Sequence, residues 1–549
     1  MQIPHKSWAF CLIAASLIFI GTRSSFATTY TTVPCISSGS SSTCLDHQAP
    51  GVGSAIFAQG YVTPGDGGGG QFADIGACDN GTYSAPMTEK NFIGDTKIYY
   101  TKTGPKPTVG SAVTSGTIFP PGTVITDTTV TGKFTVSIPI TSDIPANTPF
   151  TIGGNGGTLI ISSGTDCFQK ADYRGDPHEW GAVGDGSKDD STALQEWLGY
   201  TGPWVASIPA TYMTNWALSC WPYVNLQATA NNSRGVSTLP LVHIAVGTSF
   251  PMNGTVGSPV AVLTAYHGCR ISGLSVDANY TGTCNGLGYP NCYIDAVDLG
   301  SVVTEAYLGG GDVVIDGHSL LQRGYHNLNC PNLTGVNGNS GGQIKDSQLS
   351  QSYAENVVIN CANVRIIGDI IELAGSINGT TELATASGIV ATGEDLTVSN
   401  GNISNSAGIG IWLNGATYVS VTGMFLEANG NTPSTGGAGI EIDGVHDVSI
   451  CGNHFKGNDY NSNPTASYSA QIRFGTSGTA NPTDVSLCGN VYKDVIPTGA
   501  TYSSPNYVYD VLTGVSDVSK ITLYENPVMQ DTGVFSPRAG ALASQQVLP

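Results

Sequence analysis

Apolar residues along the chain fall mostly in short alternating runs of three to six, and runs with helical spacing are nearly absent. The one clear helix candidate is Asp189 to Leu198 (DDSTALQEWL), where Asp189 or Asp190 can cap and Leu194, Trp197 and Leu198 share a face. From about residue 267 the short runs repeat in two types. The first is Arg270-Ile271-Ser272-Gly273, Val314-Ile315-Asp316-Gly317, Arg365-Ile366-Ile367-Gly368, and the runs ending at Gly423, Gly452 and Gly489. The second is Ala296 to Gly300, Gly388 to Thr392, Gly410 to Asn414, Gly439 to Asp443 and Gln471 to Gly475. Two or three short strands per ~22 to 37 residues, with Gly and Asn at the corners, predict solenoid coils stacked at roughly 4.8 Å, like residues over like residues. Cys451 and Cys488 then occupy equivalent places in successive coils, either stacked as thiols or bridged.

Stacking turns the strand pattern into a map of faces. If Ile411, Leu413, Ile440, Ile442, Ile472 and Phe474 point inward, alternation sends Trp412, Asn414, Glu441, Asp443 and Arg473 outward. Trp412, Glu441 and Arg473 then form one column, with Asn414 and Asp443 beside it. An exposed indole next to two carboxylates suits a sugar: the ring covers the apolar face of a pyranose and the carboxylates handle hydroxyls or protons. Two residues apart on one strand, Glu441 and Asp443 have Cα atoms roughly 6.6 to 6.8 Å apart, which slightly favours an inverting over a retaining spacing. A second column, Asp277, Glu372, Glu427, Lys456 and Lys493, carries Glu427 as a further catalytic candidate. Asp298, with Asp295, Tyr325 and His326, forms a polar-aromatic cluster where the loops at 277–295 and 324–343 interrupt the repeat. Catalytic candidates are thus Glu441, Asp443, Glu427 and Asp298, and substrate-binding candidates are Trp412, Asn414, Arg473, Tyr325 and His326. Each also has a plainer reading as ordinary solvated surface.

Composition narrows the partners. Of 549 residues only 11% are charged, with 20 Lys and Arg against 40 Asp and Glu, a formal charge of −20. So few cations exclude nucleic acid and an anionic membrane surface as partners. Residues 1–27 read as a cleavable secretory signal, with Lys6, an apolar run from Ala9 to Gly21 and a small-x-small site at Ser25-Phe26-Ala27. A secreted or periplasmic chain follows. Of the 13 cysteines, 12 remain after the signal, an even number that favours disulfides, with Cys35/Cys44 and Cys284/Cys292 the closest pairs. No thiolate metal spacing occurs, and no cofactor is expected unless the reaction is an elimination, where Ca²⁺ is an option.

Trp180 to Leu194 (WGAVGDGSKDDSTAL) resembles the motif that opens right-handed parallel β-helix proteins of the pectate-lyase superfamily, a group that includes polygalacturonase-like hydrolases, β-1,3-glucanases and phage tailspikes. In that motif the glycines turn tightly and the paired Asp cap the helix closing the solenoid end, so Asp185, Asp189 and Asp190 read as structural. Gly60 to Phe72 (GYVTPGDGGGGQF) resembles the segment before the β-helix in tail-fibre-like members. The resemblance implies an all-β, right-handed parallel β-helix with this organisation: signal 1–27, N-terminal region 28–84, inserted β-rich module 85–165, β-helix 166–530 and tail 531–549. It also implies a poly- or oligosaccharide partner and leaves a homotrimer open, since tailspike relatives are often trimers. The polygalacturonase Asn-Thr-Asp and Arg-Ile-Lys and the pectate-lyase Arg-x-Pro-x-x-Arg are missing, so pectin is not implied. Three functions remain: a glycoside hydrolase using two carboxyls, a lyase on a uronic-acid polysaccharide, and a non-catalytic glycan-binding adhesin.

Overall fold

In a computed structural model the described residues run from 31 to 537, apart from stretches of which the longest are 200–209, 228–241, 251–259, 279–292, 301–311, 332–340, 459–469, 494–506, 512–519 and 525–535. The signal segment and the Cys284/Cys292 pair lie outside them.

The chain from Asp185 onward winds into a right-handed parallel β-helix of three long parallel sheets with eleven, eleven and ten strands. Each coil visits the sheets in the same order. The coil around the candidate site runs from Phe425–Glu427 in the first sheet, through Ala438–Asp443 in the second, to His446–Cys451 in the third. The second type of run lies in the second sheet and the first type in the third, and the residues that follow each marker glycine form the first sheet. Inward side-chain rows fill the bore; on the second sheet Val297, Leu328, Val357, Ile389, Ile411, Ile440 and Ile472 stack in register and are fully buried.

The recurrent glycines have one cause. Immediately after the third-sheet strands whose next residue is described, the chain turns through a left-handed residue: Gly273, Gly317, Asp346, Gly368, Asn400, Gly423, Gly452 and Gly489 all have φ between 49° and 74°. Only Gly, Asn and Asp take that conformation at low cost. The corner between the first and second sheets is also left-handed, but is filled by Arg323, Gln351, Leu373, Asn405, Ala428 and Gly457. Buried asparagines secure the corners. Asn429 Nδ2 donates to Ile403 O at 3.0 Å and Asn458 Nδ2 to Leu426 O at 2.9 Å, which pairs carbonyls that the turn would otherwise strand.

The helix capping the solenoid spans Ser191–Gly199. Asp190 does not aim its carboxylate at that helix. It accepts from Val183 N at 2.6 Å and Gly184 N at 3.1 Å, closing the WGAVGDG turn, while Asp189 accepts from Ser191 N at 3.0 Å. Asp185 accepts from Ser187 N and Lys188 N. Their partners are local backbone and hydroxyl groups, joined for Asp189 by Asn215.

Ahead of the solenoid, Thr31–Val33, Ala55–Ala58, Gly70–Ala77, Asp166–Lys170 and Leu159–Ile161 form a five-stranded sheet. Two three-stranded sheets occupy the stretch between Gly81 and Gly153, with a core of their own built on Tyr83, Phe134 and Phe150. The described residues hold five disulfides: Cys35–Cys44, Cys78–Cys167, Cys220–Cys269, Cys330–Cys361 and Cys451–Cys488. Cys451 and Cys488 face each other in adjacent third-sheet strands and are bridged, which resolves the two options left by their spacing. So many bridges mark a chain that matures in an oxidising environment. Among the described residues no helix is long and apolar enough to cross a membrane.

Candidate functional site

Ladder register sets the candidate side chains in place. On the outer face of the second sheet one row reads Thr264, Asp298, Asn329, Val358, Val390, Trp412, Glu441, Arg473. Asn414 pairs with Asp443 in the neighbouring row. Trp412, Glu441, Asp443 and Arg473 therefore meet. Arg473 Nη1 donates to Glu441 Oε2 at 3.0 Å, and its Nη2 to the Gly437 carbonyl at 3.0 Å. Trp412 Nε1 donates to Asp443 Oδ2 at 2.7 Å.

Two features differ from the sequence expectation. Trp412 is half-buried rather than exposed, and Glu441 and Asp443 keep only 7% and 6% of their surface. The two carboxyls also approach until they share a hydrogen bond, closer than the spacing of backbone positions suggested. Side chains two apart on a strand lean together when one neighbour, Arg473, neutralises part of their charge. Burial raises Glu441, Arg473 draws it down and the Asp443 charge pushes it up, leaving it at about 7. Burial likewise raises Asp443, against the Trp412 N–H that favours its charged form. The pair titrates as one unit that still holds a proton near neutrality.

The remaining candidates lie elsewhere. Glu427 is on the first sheet, ion-paired to Lys456, in the column that the register builds as Asp277, Gln322, Ser350, Glu372, Ser404, Glu427, Lys456 and Lys493. It does not join Glu441. Asp298 shares the second sheet with Glu441 but stands five rungs away, about 24 Å at the inter-strand spacing. Asp298 instead meets His326, against which Tyr325 packs edge-on at 4.5 Å between centroids.

Sequence reasoning missed Glu355 and singled out Asp295 only as a neighbour. His326 Nδ1 lies 3.0 Å from Asp295 Oδ1 and its Nε2 lies 3.4 Å from Glu355 Oε2. Burial lowers His326, but the two flanking carboxylates outweigh it and push it up to about 10. Asp298 is raised well above the carboxylate range by burial and then by the Asp295 charge, while His326 draws Glu355 down against its burial. Glu355 carried no signal in sequence, because it sits in a turn after the strand Gln348–Ser352 and outside the repeat.

On the first sheet Asp277 is fully buried, and its carboxylate takes Arg323 through both oxygens, Nε at 2.9 Å, with His243 Nε2 at 3.6 Å. Burial raises Asp277, and His243 and Arg323 together bring it below the ordinary value. Among the described residues no group of three or more His, Cys, Asp or Glu is placed to hold a metal ion.

No protein-family model matches the chain, and no curated protein matches it. Solved structures do. The enzymatically active domain of tailspike protein 2 from bacteriophage CBA120 superposes with a TM-score of 0.54 at 13% identity, over 91% of this chain and 58% of its own length. The full-length tailspike protein 2 from an Escherichia coli O157:H7 bacteriophage gives 0.45 at 13%, over 89% and 56%. The Streptococcus pneumoniae surface adhesin PfbA gives 0.34 at 15%, over 64% and 91%. The chain thus spans little more than half the length of the tailspikes it matches. Its fold is the right-handed parallel β-helix, similar to that of a phage tailspike.

Proposed function

We propose that the chain is a secreted carbohydrate-active enzyme that cleaves glycosidic bonds of a poly- or oligosaccharide by hydrolysis, with Glu441 and Asp443 as its acid–base carboxyls. The observation that carries this reading is a pair of buried, hydrogen-bonded carboxyls beside a half-buried indole that donates to one of them. The pair donates its proton to the glycosidic oxygen as the C–O bond breaks, and the carboxylate left behind stands against the positive charge on the sugar carbon. Water then adds there and its proton returns to the pair. Arg473 keeps the cluster near neutral while one proton is present. Trp412 supplies the face on which a pyranose packs.

A lyase would need a free cation to hold a uronate, and Arg473 and Lys456 are both engaged with Glu441 and Glu427. A non-catalytic glycan-binding role is the second reading, favoured by the near-complete burial of the carboxyl pair. The test is a screen of neutral and uronic-acid polysaccharides that follows new reducing ends and ultraviolet absorbance together. Reducing ends without absorbance, abolished by Glu441→Gln and Asp443→Asn, are expected. Full turnover in both variants would remove the site assignment, and binding without turnover would leave the adhesin.

A further inference from the structure

Where the coils turn from the second sheet into the third, most pass through a further left-handed residue. Register aligns Gly268, Asp312, Asn363, Asp395, Tyr418, Asp447 and Asp484 at this corner, all with φ between 55° and 69°. Gly, Asn and Asp adopt that conformation at low cost, whereas a bulky side chain there is an outlier. Tyr418 is the outlier, and its ring does not enter the core: the residue is 55% exposed. Strain of this kind clusters at ligand-binding positions.

The surroundings supply the ligand. Tyr418 lies four residues past Asn414 on the coil that carries Trp412, and His446 lies three past Asp443 on the next coil. Gly415 N donates to Asp443 O at 2.7 Å, so the two coils run together from the carboxyl pair to the corner. There the Tyr418 and His446 rings meet edge to face at 5.7 Å between centroids, and His446 Nδ1 lies 2.9 Å from Asp447 Oδ2. The side chains of His446 and Asp447 are 45% and 48% exposed. From Asn414 to Tyr418 the chain spans at most about 14 Å, which a few linked sugar rings cover. We infer that Tyr418 and His446 form an outlying subsite that holds an uncharged pyranose of the same glycan that is cut at Glu441 and Asp443, an inference that rests on reading that pair as the catalytic carboxyls.

Charge selects the sugar. Asp395 and Asp447 occupy the corner one coil to either side of Tyr418, Glu394 pairs with Thr417 beside it, and Asp484 follows one coil beyond Asp447. The nearest Lys or Arg at an equivalent described position is Lys520, three coils or about 14 Å away. Carboxylates accept from sugar hydroxyls and repel a uronate, while a tyrosine ring packs on the apolar face of a pyranose.

Binding is read by calorimetry in the Glu441→Gln/Asp443→Asn double variant of the full chain, so that turnover does not enter. Oligosaccharides of increasing length from laminarin, galactomannan and xylan are compared with those from alginate and polygalacturonate. At least one neutral series binds, more tightly as it lengthens, and the uronates bind more weakly. Adding Tyr418→Asn removes the gain from length, about tenfold on the longest oligomer and less than twofold on the shortest that binds. The same variant has a higher urea midpoint, because asparagine fits the left-handed corner. Tyr418→Trp keeps the affinity within threefold. The inference is overturned if no neutral series binds, if the uronates bind as tightly, if Tyr418→Asn leaves the gain from length intact, or if it lowers the urea midpoint, which would make the ring a packing element. Turnover is followed separately in the chain with both carboxyls intact. Loss of the length effect together with full turnover in Glu441→Gln would remove the catalytic assignment and leave a glycan-binding corner, whereas abolished turnover with an unchanged length effect would remove the subsite alone.

Discussion

Glu441→Gln should stabilise the protein at alkaline pH while abolishing turnover. The folded chain holds the Glu441 proton to about pH 7 against an ordinary 4.5, because burial and Asp443 outweigh Arg473. Below pH 4.5 both folded and unfolded chains carry that proton, and the group is silent. Between 4.5 and 7 the unfolded chain releases it and the folded chain does not, so wild-type stability falls as pH rises. The 2.5 units are worth about 3 kcal/mol at 1.36 kcal/mol each, a loss complete above pH 7. An amide does not titrate, keeps the hydrogen bonds, and leaves Arg473 beside the Asp443 carboxylate. The variant minus wild-type difference, from urea unfolding of the full chain at pH 4.5 to 8, should therefore climb by about 3 kcal/mol across that range. A difference that is flat with pH, or that falls as pH rises, would refute the reasoning and mean that Arg473 alone dictates the charge of Glu441.

Other consequences are independent of that site. Replacing both Cys451 and Cys488 with serine opens a loop of 37 residues, and the chain-entropy relation gives a loss of about 4 kcal/mol, read as a lower melting temperature than that of the wild type when both are unfolded without reductant. Arg323→Met strands the buried Asp277 carboxylate and should cost about 3 kcal/mol at neutral pH. Because Asp277 sits below its ordinary 3.8, that cost should shrink as pH falls through this region, which melting at pH 3 and pH 7 checks. Ala428 occupies a left-handed corner at φ 53°, where a Cβ costs roughly 1–2 kcal/mol, so Ala428→Gly should raise the urea midpoint, by less than that because glycine also loosens the unfolded chain. A lowered midpoint would mean that the strain at Ala428 is smaller than the freedom glycine adds to the unfolded chain.

What was legible in the sequence follows from what repeats. A solenoid writes its register into the chain, because each coil must put an apolar residue over the one below. Trp412, Glu441 and Arg473 align in one row simply by counting from Ile411, Ile440 and Ile472. The marker glycines were visible for the same reason, although their shared left-handed φ was not. Depth and pairing do not repeat. Nothing in GIWLN or GIEID states that the indole N–H turns onto Asp443, or that Arg473 reaches across from the next coil to Glu441. Glu355 lay further from view, since it belongs to a turn and reaches His326 only because Tyr353 stacks on Tyr325 and brings two coils' turns together. The pattern that made the fold readable is the one that functional residues leave. Two acid centres on one sheet, each built where a side chain from one coil reaches into another, are where counting along the chain ends and local electrostatics begins.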